Sequence, residues 1–563
     1  MTSAPSSGPE PEPEPEPERW HGVAFGERVV DLADGVSTDC LYDDLFAAHP
    51  FSFWLDAGAD ATDGLSYLGT GDELVVQGDA SGIRVNRDSA TDDGHVTVVT
   101  VVADIGEHFR QRFDGRSEAG GQRPSLGEFA PGWVGFLGYE WRAERSSTTR
   151  ARSTSSDTVD RENRAAQDAV AVGSIVAGTD TEPRINAARR PVDRVTPEAA
   201  FLRVTRLVVV DHAARRASVV WIDGEADEDW ADVVLASIER AHGADAHAHA
   251  HAHAGADITD TDDGSHTDLA VEAGERAGTA GLAHPEPVWR HGRAAYRALI
   301  DRCRASIGRG DAYQLCLTNR IDVPGSFDAV EVFRTLRRTS PTHRGGLLRF
   351  GDLALVSASP EKFLGLDRSG RIEVRPIKGT RPRASDAVRD RELVDELRDS
   401  PKERAENLMI VDLMRNDVGR VSALGSVSVD TLFDIESYAQ VHQLVSTVSG
   451  QLADGCDAVD VLASTFPAGS MTGAPKQSAI DILGGLEGAP RGVYAGAFGL
   501  VGADGTLDLS MVIRSIVIDA HGASVGAGGG ITWSSDAAAE VDEMVLKARA
   551  PLSALGASEH PPD

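Results

Sequence analysis

Lys378 lies in the string Arg375-Pro-Ile-Lys378-Gly-Thr-Arg381-Pro, downstream of Glu361 in Ser357-Ala-Ser-Pro-Glu361. Two spaced acidic pairs follow, Glu403 with Glu406 and Glu540 with Glu543. A desolvated lysine amine can attack carbon, and a lone carboxyl beside it can donate or accept a proton. The pairs point to a cation. Three apart on a helix, two carboxylates project from one face, and four converging carboxylates repel unless positive charge sits among them. Their all-oxygen character suits magnesium rather than zinc or copper. Together these residues predict covalent or acid–base chemistry on an anionic substrate held by Mg2+.

The elements that must position these groups are legible in outline. Helical periodicity runs over 391–416 and 537–550, so each acidic pair sits on a helix. Strands are predicted at 312–321 and 346–357, and a helix at 291–307 ended by Gly308. Upstream come strand-like runs at 73–77, 95–102, 202–211 and 217–222, with short helices near 41–46 and 228–242. Strands and helices mix without regular βαβ alternation, which predicts an α+β fold. The division expected is a disordered Pro/Glu tail at 1–18, then a β-rich N-terminal domain at 19–241 with a polar insertion near 145–195. A His/Asp-rich linker at 242–284, a catalytic domain at 285–552 and a disordered tail at 553–563 complete it.

Composition narrows the class. The 563 residues carry 55 Lys and Arg against 88 Asp and Glu, a net charge of −33. No basic stripe is available for nucleic acid. Four cysteines without CxxC spacing predict free thiols rather than disulfides or zinc. There is neither a secretory n-region nor an apolar run of about 18 residues to span a bilayer. A cytoplasmic protein is expected.

The longer strings say more. Glu406 opens Asn407-Leu-Met-Ile-Val-Asp412-Leu-Met-Arg415-Asn416-Asp417-Val-Gly419-Arg420. In order along the chain stand Gly310-Asp-Ala-Tyr-Gln314, Ser359-Pro-Glu361, the stretch 435–442, and Pro467-Ala-Gly-Ser470-Met-Thr-Gly473-Ala-Pro475-Lys476. Tyr494-Ala-Gly-Ala-Phe-Gly499, Ile513-Arg514 and Gly526-Ala-Gly-Gly-Gly530-Ile follow. With these strings the chain resembles the chorismate-utilising enzymes, strongly over about 285–550. The resemblance is weaker at Gly132-Trp-Val-Gly-Phe-Leu-Gly-Tyr139-Glu and over 41–58. It implies that family's fold, large β-sheets flanked by helices with a β-rich N-terminal portion.

Carried over position by position, the resemblance implies that Glu403, Glu406, Glu540 and Glu543 hold Mg2+, with chorismate as substrate. Gly528, Gly529 and Gly530 would let backbone N–H groups approach a carboxylate. Tyr494, Arg514 and Lys547 would anchor the other carboxylate, Ser470 and Thr380 would supply hydroxyls, and Gln314 would line the substrate. Glu361 would be the general acid and base, and His442 would stand beside the ring.

Gln314 and Lys378 separate the branches. Gln314 stands where relatives that add water carry a lysine. Lys378 stands where anthranilate synthases carry alanine, and lysine there resembles aminodeoxychorismate synthase component I. The implied reaction is amination of chorismate at C4 through a covalent Lys378 adduct, leading toward 4-aminobenzoate and folate. The chain has no glutamine amidotransferase nucleophile motif, so ammonia would come from a separate amidotransferase subunit. Tryptophan binds the N-terminal portion of relatives, but Phe51-Ser-Phe-Trp54-Leu-Asp56 departs from their pattern. Anthranilate synthase component I and a non-catalytic chorismate-binding assembly subunit stand as alternatives.

Overall fold

The structure is a computed structural model that describes residues 25–32, 37–59, 61–78, 83, 98–112, 132–142, 196–222, 229–240, 286–438 and 441–562. The expected tail at 1–18, the insertion at 145–195 and the linker at 242–284 lie outside these residues.

Two long strands organise the chain. Leu65–Gln77 pairs through its first half with Phe51–Asp56 and through its second with Val98–Val102. Ala199–Asp211 pairs with Gly132–Leu137 at one end and Arg216–Ile222 at the other. The two run antiparallel to each other, with register shifts around Thr70 and Gly71. Such bulges bend a strand and let it pass from one sheet to a second. One sheet continues through Gly345–Phe350, Leu353–Ser357, Ser515–Asp519, Gly522–Ile531 and Gln314–Pro324. The other continues through Ala497–Gly502, Leu507–Met511, Lys362–Leu366, Arg371–Val374 and Val441–Gln451, which also pairs with Ile377–Pro382 and Ser428–Ser437.

Alternation along the strands builds three layers of core. Phe53, Phe136, Leu348, Phe350 and Phe498 meet between the sheets. Their neighbours point outward: Trp54 is fully buried among Tyr42, Phe333 and the Arg337 guanidinium. Helices cover the outer faces, Arg293–Arg309, Ala329–Thr339 and Ala537–Ala554 among those on one, Pro401–Gly419 and Ala458–Thr465 on the other. This is an α+β sandwich. The portions read from the sequence as two domains share both sheets, joined at Phe51–Asp56 with Gly345–Phe350 and at Gly132–Leu137 with Ala497–Gly502.

Three local expectations change. The helix predicted over 391–416 is two helices, Ala387–Asp399 and Pro401–Gly419. Ser400 caps the second by accepting from Glu403 N, and Pro401 fills its first turn, where a missing N–H costs nothing. The helix predicted to stop at Gly308 runs to Arg309 and ends on Gly310, whose φ of 86° suits a left-handed cap. The stretch from 553, expected as a disordered tail, folds back instead. Leu555 and Ala557 are buried, and Pro562 O accepts a hydrogen bond from Arg293 N.

Because the halves share a core, they should unfold as one. Phe136→Ala removes a buried ring between the sheets and should cost about 3–5 kcal/mol. Calorimetry should show a single transition in both proteins, lower in the variant; two separated transitions would contradict the shared sandwich.

Candidate active site

The strand Gly522–Ile531 forms the floor of a cleft. It pairs along its length with Gln314–Pro324, so that Gly528, Gly529 and Gly530 lie opposite Thr318, Leu317 and Cys316. A Cβ on Gly530 would collide with the Gln314 carboxamide nitrogen and stand 3.7 Å from Lys378 Nζ. A Cβ on Gly529 would stand 3.2 Å from Glu540 Oε2 and 3.8 Å from Glu543 Oε1. On Gly526 it would strike the Tyr494 ring. Absent side chains therefore bring an amine, an amide, a phenol and two carboxylates onto one strand.

Gln314 is fully buried, and neither amide atom has a hydrogen-bond partner among the described residues. An unpartnered buried amide is costly unless a bound group completes it. Lys378 reaches the same place from Ile377–Pro382, in the other sheet.

Glu361 faces this point from the turn before Lys362–Leu366. Its carbonyl accepts from Met511 N, which fixes the turn. Burial pushes its carboxyl up to about 7, against the pull of Lys378, the Ser470 hydroxyl and Lys547. Ser470 is buried on the short helix Gly469–Thr472 and close enough to favour the carboxylate, without the alignment of a regular hydrogen bond. A carboxyl poised near 7 can both give and take a proton at neutral pH.

The four glutamates come from the first two turns of two helices, Pro401–Gly419 and Ala537–Ala554, with Glu403 and Glu540 in the first turns. Burial raises Glu406, with Glu403 and Glu540 adding to the rise, and burial raises Glu540, with Glu543 adding. Burial opposes the Glu543 charge too, but Lys547 at 2.7 Å outweighs it and the carboxyl falls below its usual range. Burial also disfavours the Lys402 ammonium, yet Glu406, Glu540, Glu543 and Glu403 together hold it above its usual range. The four carboxylates repel one another near the ends of the two helices, and all-oxygen donors are the kind a hard divalent cation takes. Among the described residues no three of them close to metal-ligand distance. Lys547 also donates to Gly528 O at 3.0 Å, tying its helix to the glycine strand.

Tyr494 is held against Gly526, and burial raises its phenol. Arg514 adopts φ 50°, a left-handed conformation uncommon for a side-chain-bearing residue. Burial lowers its guanidinium, and no carboxylate pairs with it among the described residues. Thr380 is exposed, two residues beyond Lys378 on the same strand. His442 is buried with both ring nitrogens engaged, Nδ1 with Ser437 Oγ at 2.7 Å and Nε2 with Asp390 Oδ1 at 2.9 Å. It joins a strand to the Ala387–Asp399 helix and has no free nitrogen for a ligand.

The sequence reading passed over two residues that matter to this geometry. Lys402 precedes Glu403 and sits one turn before Glu406, a spacing visible in the string. Asn407 is fully buried, accepts from Ser446 Oγ at 2.6 Å and donates to Pro376 O at 3.4 Å, fastening the Lys378 strand to the glutamate helix. Its place beside Glu406 was its only signal.

Comparison with known proteins identifies the family. The chorismate binding enzyme family model matches residues 70–553. The chain belongs to the chorismate binding enzyme family. It is 35% identical over 528 residues to an aminodeoxychorismate synthase of Streptomyces griseus, covering 91% of this chain and 62% of that protein. It thus spans about three-fifths of that relative's length. It is 40% identical over 368 residues to anthranilate synthase component 1 of Streptomyces coelicolor, covering 64% of this chain and 68% of that one. The crystal structure of anthranilate synthase component I from Streptococcus pneumoniae shares the fold, with a TM-score of 0.58 at 24% identity over 93% of this chain and 98% of that one. No helix among the described residues is long and apolar enough to cross a membrane.

The cleft makes a specific electrostatic prediction. A carboxyl titration followed by infrared difference, assigned with Glu361→Gln, should give a Glu361 midpoint near 7. Lys378→Met removes a cation that favours the carboxylate, so the midpoint should rise. A wild-type midpoint in the ordinary carboxyl range near 4 would contradict the desolvated site.

Proposed function

We propose that the chain is an aminodeoxychorismate synthase component I, replacing the C4 hydroxyl of chorismate with an amino group. The observation that carries this reading is the meeting of Lys378 and Gln314 over Gly530, with Glu361 poised near neutrality beside them. The Lys378 amine, in its unprotonated form, attacks C2, both ring double bonds shift along the ring, and the C4 oxygen leaves as water with the Glu361 proton. Ammonia then attacks C4, both double bonds shift back and the Lys378 amine is expelled, with Glu361 accepting the proton from the incoming nitrogen. Atoms balance as chorismate plus ammonia giving 4-amino-4-deoxychorismate and water. Two allylic steps replace one difficult substitution.

Glu403, Glu406, Glu540 and Glu543 would hold Mg2+, which when bound supplies positive charge for a substrate carboxylate. Arg514, which has no carboxylate partner among the described residues, and Tyr494 would take the other carboxylate, Arg514 by planar bidentate pairing. Gln314 would use its free amide at the ring, Ser470 would steady Glu361, and Thr380 would border the nucleophile. Lys547 would hold the glycine strand against its helix. His442 would act as a strut that fixes the strand next to Lys378.

Ammonia would be delivered by a glutamine amidotransferase subunit, in the cytoplasm. Tryptophan forms no part of this reading: in the N-terminal segment that departs from relatives, the chain's own Trp54 is packed solidly into the core. Anthranilate synthesis is the second reading, supported by the 40% identity to anthranilate synthase component 1 over 368 residues.

Incubating the protein with chorismate, Mg2+ and ammonium, and resolving products by chromatography, tests the branch. The wild type should give aminodeoxychorismate. Lys378→Ala should lose about 100-fold or more in rate, or turn to anthranilate. Anthranilate from both proteins would sink the assignment.

A further inference from the structure

Arg491 and Glu487 form a buried ion pair that no step above uses. Arg491 Nε donates to Glu487 Oε2 at 2.8 Å and Nη2 to Glu487 Oε1 at 2.7 Å. Two further guanidinium hydrogens go to backbone. Nη1 donates to Met471 O at 2.6 Å, and Nη2 also to Cys316 O at 2.8 Å. Glu487 in turn accepts from Thr318 N and Thr318 Oγ1, each at 2.9 Å.

Each gripped group adjoins the cleft. Met471 follows Ser470 on its single-turn helix. Cys316 and Thr318 lie opposite Gly530 and Gly528, on the strand that begins at Gln314. The Tyr139 ring covers the guanidinium at 4.2 Å, and the exposed Glu140 carboxylate accepts from Arg491 N at 2.8 Å and Gly492 N at 3.0 Å. Three residues later comes Tyr494.

We infer that Arg491 is a positioning residue: its planar fork sets the Ser470 turn and the Gln314 strand at one spacing, and the Tyr139–Glu140 segment of the N-terminal half holds it in place. The inference rests on the proposal that this cleft turns over chorismate. Only arginine offers enough coplanar donors for two carbonyls and a carboxylate at once. Lysine in its place keeps the charge beside Glu487 but must release at least one backbone acceptor. A sub-ångström drift of Ser470 or Gln314 then misaligns groups that act on the ring.

A merely stabilising ion pair would not move the titration of Glu361. The charged groups facing Glu361 are Lys378 and Lys547, and Ser470 adds a hydroxyl that favours its ionised form. If Arg491 holds Ser470 in reach, losing the fork weakens that contact, and the Glu361 midpoint rises from about 7. The activity limb that falls as Glu361 deprotonates should move to higher pH with it.

The test compares Arg491→Lys, Ser470→Ala and the double variant by kinetics on chorismate, by infrared titration of Glu361 and by Mg2+ calorimetry. Arg491→Lys should lower kcat by about tenfold or more with KM for chorismate and Mg2+ affinity little changed. It should raise the Glu361 midpoint as Ser470→Ala does, and the double variant should add nothing further. A lower Tm with unchanged kcat and midpoint would overturn the inference. Should Arg491→Lys fail to fold, Glu140→Gln loosens the same segment from the surface. It should shift kcat and midpoint in the same directions by less, and no shift in either would overturn the inference. The titration needs no turnover, so it tests Arg491 even if the chorismate reading fails, and product identity tests that reading separately.

Discussion

The cleft depends on one β-strand that over Gly528–Gly530 carries no side chain on either face. At Gly526, Gly529 and Gly530 no side chain can stand without striking or crowding Tyr494, the Glu540 and Glu543 carboxylates, or the Gln314 and Lys378 termini. At Gly528 a Cβ would meet the backbone of Leu317 and Thr318. Glycine in a strand is ordinarily a weakness, since it packs nothing and loses more entropy on folding. Here the lost packing is replaced by functional groups from four other elements. The strand is held by unbroken pairing with Gln314–Pro324 along its length, and by Ser515–Asp519 over Gly522–Val525.

That geometry requires charge to be buried, and the fold manages it by balance rather than by exclusion. Glu361 is desolvated yet faces two lysines, so its carboxyl settles near neutrality rather than staying protonated throughout. The four helix glutamates repel one another but all attract Lys402, and Glu543 pairs with Lys547. Arg491 and Glu487 are buried completely and satisfied by backbone on both sides, the condition under which a buried pair can persist. Each charged group thus fixes a neighbouring element as well as serving the cleft.

Much of the site was legible in the sequence because its chemistry is spelled in contiguous strings. The acidic pairs, the glycine run and the segments around Glu361 and Lys378 announce themselves by residue type and spacing. The helix break at Ser400-Pro401 was equally visible, since serine before proline is an N-cap followed by N1, but the apolar period carried across it. What the sequence could not show is the joining of the two halves into one sandwich. The decisive pairings, Phe51–Asp56 with Gly345–Phe350 and Gly132–Leu137 with Ala497–Gly502, link residues hundreds of positions apart. Arg491 was illegible for the same reason: its partners Tyr139, Cys316 and Met471 meet it only in the fold.

The central claim is that Lys378 bonds to the substrate ring. Rapid quenching of the protein mixed with chorismate and Mg2+, ammonia withheld, followed by intact-mass and peptide analysis, tests it most directly. The account predicts an added mass equal to chorismate less water, confined to the peptide bearing Lys378 and discharged on adding ammonium. Amination proceeding with no adduct at Lys378, or with one on another residue, would contradict it.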